Sequence, residues 1–462
     1  MKRITALALA MTLSLGMAHA QFDSPMGPPP GGGQPPTGKD GKPMGPPPGG
    51  KPGPGGGGSQ YKSAKGKRTY SKDAVLTGKT IASDTQDESA VLATDGTLTL
   101  TNCRLTNSAD ASSTDDASFY GVNAVVCAQP SSQKGGKCTI RSEHNYVSGT
   151  GRGANGIFAY GGATINSSYD VIKQTGGNAR GIMASGGGTI NVVGDTVETR
   201  AHSSSCVATD RGGGTITIDG GVYTCYGGNS AGLYSTGNIS AKRATFISHG
   251  GEGLVIEGTN YINLEDCDVV SKFDKWGVLL YQSFSGDAEE GDQATLTVRG
   301  GSITYEGKKT GMFYNTNNRD SLALENVCLV NASDTLINCK KGGWGNRDTA
   351  RRGGRLGVSA KKQALTGLIC ADKDSQVSLT MTDGSEFTGA LNPAATAANA
   401  SISIDATSCW SLTADSYVSG TLKADLASIQ SNGHTLYYSA EANPTLAGKT
   451  YDLEGGGRLQ PM

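Results

Sequence analysis

The sequence predicts an all-β solenoid, a right-handed parallel β-helix of about nine or more coils, and three observations carry that prediction. A short apolar phrase returns about every 25 residues along much of the chain. Between its copies lie strand-length runs that alternate apolar and polar residues. Glycine makes up 69 of the 462 residues, about twice the usual share of roughly 7%. Gly and Thr are poor helix formers, so this composition suits short strands joined by tight turns.

From the N-terminus, Lys2 and Arg3 precede the apolar run Ile4 to Met17, and Ala18-His19-Ala20 offers small residues for cleavage. Residues 1–20 therefore read as an export signal, and the mature chain is expected outside the inner membrane: secreted, on the cell surface or in the periplasm. Residues 21–60 hold twelve of the sixteen prolines and fourteen glycines, and write "PMGPPPGG" twice. Such a segment buries no core, and it is expected to be a disordered spacer. Lys62, Lys65, Lys67, Arg68 and Lys72 follow as a solvated basic run.

The regular coils are placed at 61–340, with the repeat clear from Ala90 onward. Each unit opens with a phrase such as "GIFAY" (156–160), "GIMAS" (181–185), "CVAT" (206–209), "GLYST" (232–236), "GLVIE" (253–257), "GVLLY" (277–281) or "GMFYN" (311–315). A turn follows, then an alternating run such as "GTITIDG", then a third short strand such as "VYTCY". A unit with one apolar face per strand cannot bury itself alone. Stacked at roughly 4.8 Å per rung, the units share one interior, and nine make a rod roughly 45 Å long. One inward column is expected to hold Ile182, Val207, Leu233, Leu254, Val278 and Met312, and a second Ile190, Ile216, Ile239, Ile262, Leu296 and Leu322. The "GGGT" phrases supply turn positions that take positive φ without a Cβ penalty.

Insertions interrupt the spacing at 284–293 ("FSGDAEEGDQ") and 340–355 ("KKGGWGNRDTARRGGR"). Residues 341–462 continue more loosely and end in a cap: "SLTMTDGSEFTG" (378–389) is echoed by "SISIDATSCWSLT" (401–413). The phrases "ASFYGVNAVV" (117–126), "ATDRGGGTITIDGG" (208–221), "GVLLYQSFSGDAEEG" (277–291), "GWGN" (343–346) and "SNGHTLYY" (431–438) resemble exported bacterial right-handed β-helix proteins of pectate-lyase-like architecture. The resemblance spans about 65–462. It implies the fold and, for activity, only an adhesin-like protein.

β-Helices also carry polysaccharide lyases and hydrolases, and glycoside hydrolysis needs two carboxyls roughly 5–9.5 Å apart. Aligning the phrases gives a column Thr94, Ala128, Tyr160, Ser185, Thr209, Thr236, Glu257, Tyr281, Asn315. It sets Asp210 one position out of line with Glu257 and two coils away. A catalytic site would use Asp210, Glu257 and Tyr281. Asp287, Glu289, Glu290 and Asp292 are the candidates for a calcium ion, the one cofactor considered. Trp344, Arg347, Arg351, Arg352 and Arg355 in the basic loop, with Arg211, are the candidates to grip an anionic glycan.

Ten cysteines in an exported chain suggest disulfides. Cys127–Cys138 and Cys328–Cys339 share one separation and are the first candidates, with Cys206–Cys225 a weaker one. "GRGANG" (151–156) and "GNSAG" (228–232) fit phosphate-loop and nucleophile-elbow patterns, but each lacks the helix its chemistry requires. The four histidines of the chain after position 20 are scattered, so a catalytic zinc is not indicated. A net charge of −1 gives no support to nucleic-acid binding, and no later apolar run reaches the roughly 18 residues of a membrane helix. The expectation is a monomeric, non-enzymatic rod binding an extracellular glycan or host cell-surface component. A polysaccharide lyase or glycoside hydrolase is the alternative.

Overall fold

A computed structural model describes residues 61–131, 138–285, 288, 293–344 and 352–462. The expected signal and spacer, 1–20 and 21–60, lie outside these residues. The chain is a right-handed parallel β-solenoid of about 15 turns. Three long sheets of twelve, fourteen and ten strands form most of it, and as far as Cys328–Asn331 successive coils contribute every third strand to each. The coils begin at Lys65–Tyr70, a full turn before the apolar phrase becomes clear at Ala90.

Alternation explains each strand. Gly188–Val193 buries Ile190 and Val192 and turns Thr189 and Asn191 outward. The expected second column is continuous in register: Ile190, Ile216, Ile239, Ile262, Leu296 and Leu322 pair one above another. The first column holds from Ile182 to Val278, but its next member is Phe313 and not Met312. Both residues are buried. In "GMFYN" the glycine lies one residue further from the strand than in its sister phrases, so the alignment slipped by one.

The turn glycines behave as expected, with Gly186 and Gly187 at φ 55° and 83°. The corner between the second and third sheets is left-handed coil after coil, yet His144, Tyr169, Arg243 and Asp266 also occupy it. The amide of each corner residue bonds to the strand-end carbonyl of the next coil, as in His144 N–H to Ser168 O at 3.0 Å. Continuing the ladder offsets the cost of that conformation. Just inside this corner, Asn145, Asp170 and Asp195 form a buried ladder. Each side chain accepts the amide of the preceding coil, from Cys103, Asn145 and Asp170 at 2.7, 2.6 and 2.9 Å. Burial pushes the Asp195 carboxyl up to about 7.

Past Lys361 the echo at 378 and 401 is real. Ser378 pairs with Ser401 in the second sheet, and Phe387 with Trp410 in a smaller four-stranded sheet. At the end Tyr451–Asp452 folds back antiparallel on Arg458–Pro461.

One element was missed: a helix, α1, at Thr114–Tyr120. Its signal is in the sequence. Ser113 caps it by accepting the Asp116 amide at 3.1 Å, Asp115 and Asp116 sit in the first turn, and Gly121 ends it at φ 75°.

The structure brings neither Cys127–Cys138 nor Cys328–Cys339 together as a disulfide, and it contains no S–S bond among the described residues. Cys138 belongs to the interior core, while Cys127 points out of the first sheet into a separate apolar cluster. Cys328 is exposed and Cys339 buried inside. Equal sequence spacing put both pairs on faces that look apart.

Candidate functional site

The outer face of the first sheet is where the candidate acids lie, and it is covered. Leu92, Cys127, Phe158, Met183, Tyr234, Val255, Leu279 and Tyr314 form a second apolar cluster there, beneath Phe119 and Tyr120 of α1 and the rings of Trp276 and Trp344. Gln129 fixes the cover: its carboxamide accepts the Ala64 amide at 2.7 Å and donates to Lys62 O and Tyr120 O at 3.0 and 2.9 Å.

Register corrects the expected column. Ala159 pairs with Ala128, Ala184 with Thr209, and Tyr281 with Thr316. The outward positions are thus Gln129, Tyr160, Ser185, Asp210, Thr236, Glu257, Tyr281 and Thr316. Asp210 and Glu257 stand in one line, two rungs or roughly 10 Å apart. Glu257 pairs directly with Tyr281.

Each acid is enclosed. Glu257 Oε2 accepts the hydroxyls of Tyr234 and Tyr281 at 2.7 and 2.8 Å, and Oε1 accepts the amide and hydroxyl of Ser283. Asp210 Oδ1 accepts the Arg211 amide at 2.8 Å, and Oδ2 has no hydrogen-bond partner among the described residues. Burial pushes the Asp210 carboxyl up to about 6 against the pull of the Arg180 and Arg211 cations, with Glu257 adding to the rise. Arg180 is tied to α1 through Ser118, and Arg211 lies 4.0 Å from the centre of the Phe119 ring. Asp210, Glu257 and Arg211 are 1, 1 and 2% exposed. Such an arrangement can hold a proton and anchor a cover. It presents no carboxylate to bulk solvent.

The glycan-gripping set is therefore dispersed. Arg211 is corrected to a buried residue beneath α1, because its guanidinium is the platform for Phe119. Trp344 packs on Tyr281 and Trp276, with centroids at 5.2 and 5.9 Å. Arg352 and Arg355 are exposed, while Arg347 and Arg351 lie outside the described residues, as do the calcium candidates Asp287, Glu289, Glu290 and Asp292. Among the described residues no group of three or more His, Cys, Asp or Glu could hold a metal ion. A hollow of about 440 Å³ opens on the first coil between Lys67, Arg68, Lys79, Leu76 and Ile81, far from the acids.

The outer face of the second sheet is different and was not singled out from the sequence. One outward column reads Thr97, Thr139, Thr164, Thr189, Thr215, Asn238. Its neighbour reads Asn166, Asn191, Thr217, Ser240, Asn263, Thr297. These side chains are half-buried or exposed and bond along the rod: Asn191 Nδ2 to Asn166 Oδ1 at 2.9 Å, and Thr217 Oγ1 to Asn191 Oδ1 at 2.6 Å. A third column alternates charge, with Lys242 on Asp219 at 3.2 Å and Lys361 on Glu325 at 2.9 Å.

Compared with known proteins, the chain matches no family model and no curated sequence. No helix among the described residues is long and apolar enough to cross a membrane.

Proposed function

We propose that the protein is an exported, non-enzymatic rod that binds an extended glycan along the outer face of its second sheet. The supporting observation is the run of Thr, Ser and Asn side chains held in register on that face, repeating at the rung spacing of roughly 4.8 Å. Hydroxyls and carboxamides both donate and accept, which suits the hydroxyls of a sugar chain. Many weak contacts in a row add up to useful affinity when the partner is itself a repeating polymer. The test is a panel of neutral and acidic polysaccharides, scored for binding and for new reducing ends or unsaturated products. Binding without turnover is expected, weakened several-fold by Asn191→Ala with Thr217→Ala and unchanged by Asp210→Asn.

A second reading, lyase or hydrolase chemistry at Asp210, Glu257 and Tyr281, draws on the shared column and on the raised carboxyl of Asp210. The spacing of roughly 10 Å is near the upper limit for an inverting pair. Against it, both acids are enclosed. Turnover that disappears in Glu257→Gln would establish this reading and displace the first.

A further inference from the structure

We propose that Cys206 and Cys225 form an intramolecular disulfide that closes one coil of the solenoid covalently. The geometry comes from the neighbouring coils. Register makes Cys206 equivalent to Gly156, Gly181, Gly232, Gly253 and Gly277, each the residue before the inward position of a first-sheet strand. Cys225 is equivalent to Ser248, Ser271 and Tyr305 at the end of the third-sheet strands.

A Cβ placed on those glycines points across the corner at the third-sheet strand of its own coil. On Gly253 it would stand 3.7 Å from Ser271 Cβ, and on Gly277 3.2 Å from Tyr305 Cβ. Disulfide Cβ atoms lie roughly 3.5–4.5 Å apart, so the corner at Gly253 has the right width and the one at Gly277 is slightly narrower. Among these equivalent coils, only the one from 206 to 225 carries a cysteine at both positions. Both thiols are fully buried in the interior core, and burial together with the neighbouring Cys225 pushes the Cys206 thiol well above its usual value. Cys225 Sγ also donates to Ser230 O at 3.1 Å, and Cys206 Sγ lies 4.0 Å from Thr199 Oγ1.

In the bond-forming step two S–H bonds break and one S–S bond forms. Two protons and two electrons pass to a low-molecular-weight disulfide, which is reduced to two thiols. The step belongs to folding, before the coil closes, because burial of the folded pair excludes the oxidant and holds the Cys206 thiol in its unreactive protonated form. The product is a ring of one coil between the first and third sheets, a staple in the interior of the rod.

The experiment folds the full chain with oxidised glutathione or with a reductant, blocks free thiols, and maps peptides without reduction. A linked peptide containing Cys206 and Cys225 is expected from the oxidised sample, 2 Da lighter than the reduced pair and lost on reduction. Cys206→Gly, which installs the residue used by the neighbouring coils, should fold, lose the linked peptide and unfold at the same temperature with and without oxidant. The native sequence should gain several degrees when oxidised. Recovery of Cys206 and Cys225 as fully blocked thiols from correctly folded, oxidised protein would overturn the proposal, as would a dominant linkage of either to another cysteine.

Discussion

The first and second sheets share one register and one interior, yet their outer faces differ. On the first sheet the outward side chains are Phe, Met, Tyr, Val and two acids, and α1 and the tryptophans cover them. On the second, two columns carry mainly Thr, Ser and Asn beside a column of alternating charge, and they stay at the surface. The interior seam makes the rod, while the outward positions decide whether a face is buried again or left for a partner. An all-buried run such as Leu254–Glu257 marks the first case, and strict alternation such as Gly214–Asp219 marks the second.

The largest effect should come from the part that the two faces share. Ile216→Asp places a charge in the interior column without a partner, at a cost of several kcal/mol. Amide exchange should lose protection across the rungs from Ile190 to Ile262 on both sheets at once. Loss on one sheet alone would mean that the faces are independent.

Next comes the cover. Phe119→Ala removes the ring that sits on Arg211, at a cost of about 3 kcal/mol locally. The expected outcome is faster protease cleavage near α1, with the unfolding midpoint of the rod nearly unchanged. Collapse of the whole rod would show that the second apolar cluster supports the coils and does not merely sit on them.

Charge sharpens the contrast. Asp210 is held up to about 6, above its usual value near 3.8, with Arg180, Arg211 and Glu257 as its charged neighbours. Below about pH 4 it is protonated both folded and unfolded and contributes nothing to pH dependence. As pH rises from about 4 to 6 the unfolded chain ionises first, so stability falls, and above that the loss is constant, on the order of 3 kcal/mol. Asp210→Asn should flatten this part of the stability–pH curve in urea titrations at pH 4, 5, 6 and 7. An unchanged slope would assign the dependence to Asp195 or Asp170.

The rod is legible because its signal is periodic: spacing alone puts Ile190 to Leu322 on one column. What failed was phase. "CVAT" and "GMFYN" each align one residue off: the first exchanges the inward Thr209 for the outward Asp210, and the second exchanges Met312 for Phe313, both buried in the interior core. The capping signal of α1 was readable but short, and no repeat announced it. The enclosure of Glu257 by Tyr234 and Ser283 joins residues in neighbouring coils. The sequence carries no mark of such a contact until the register is known.

The smallest energetic effect belongs to the bare face, and there stability and function should separate. Asn191 bridges Asn166 and Thr217 across two rungs, but its carboxamide is open to water, which can replace either bond. Asn191→Ala should therefore change stability by no more than about 0.5 kcal/mol. If this face binds glycan, the same change removes one donor and one acceptor from the centre of the array, and affinity should drop several-fold by titration calorimetry. Equal affinity in the variant would move the ligand to another face. A large loss of stability would mean that the ladder holds the sheet together and is not kept free for a partner.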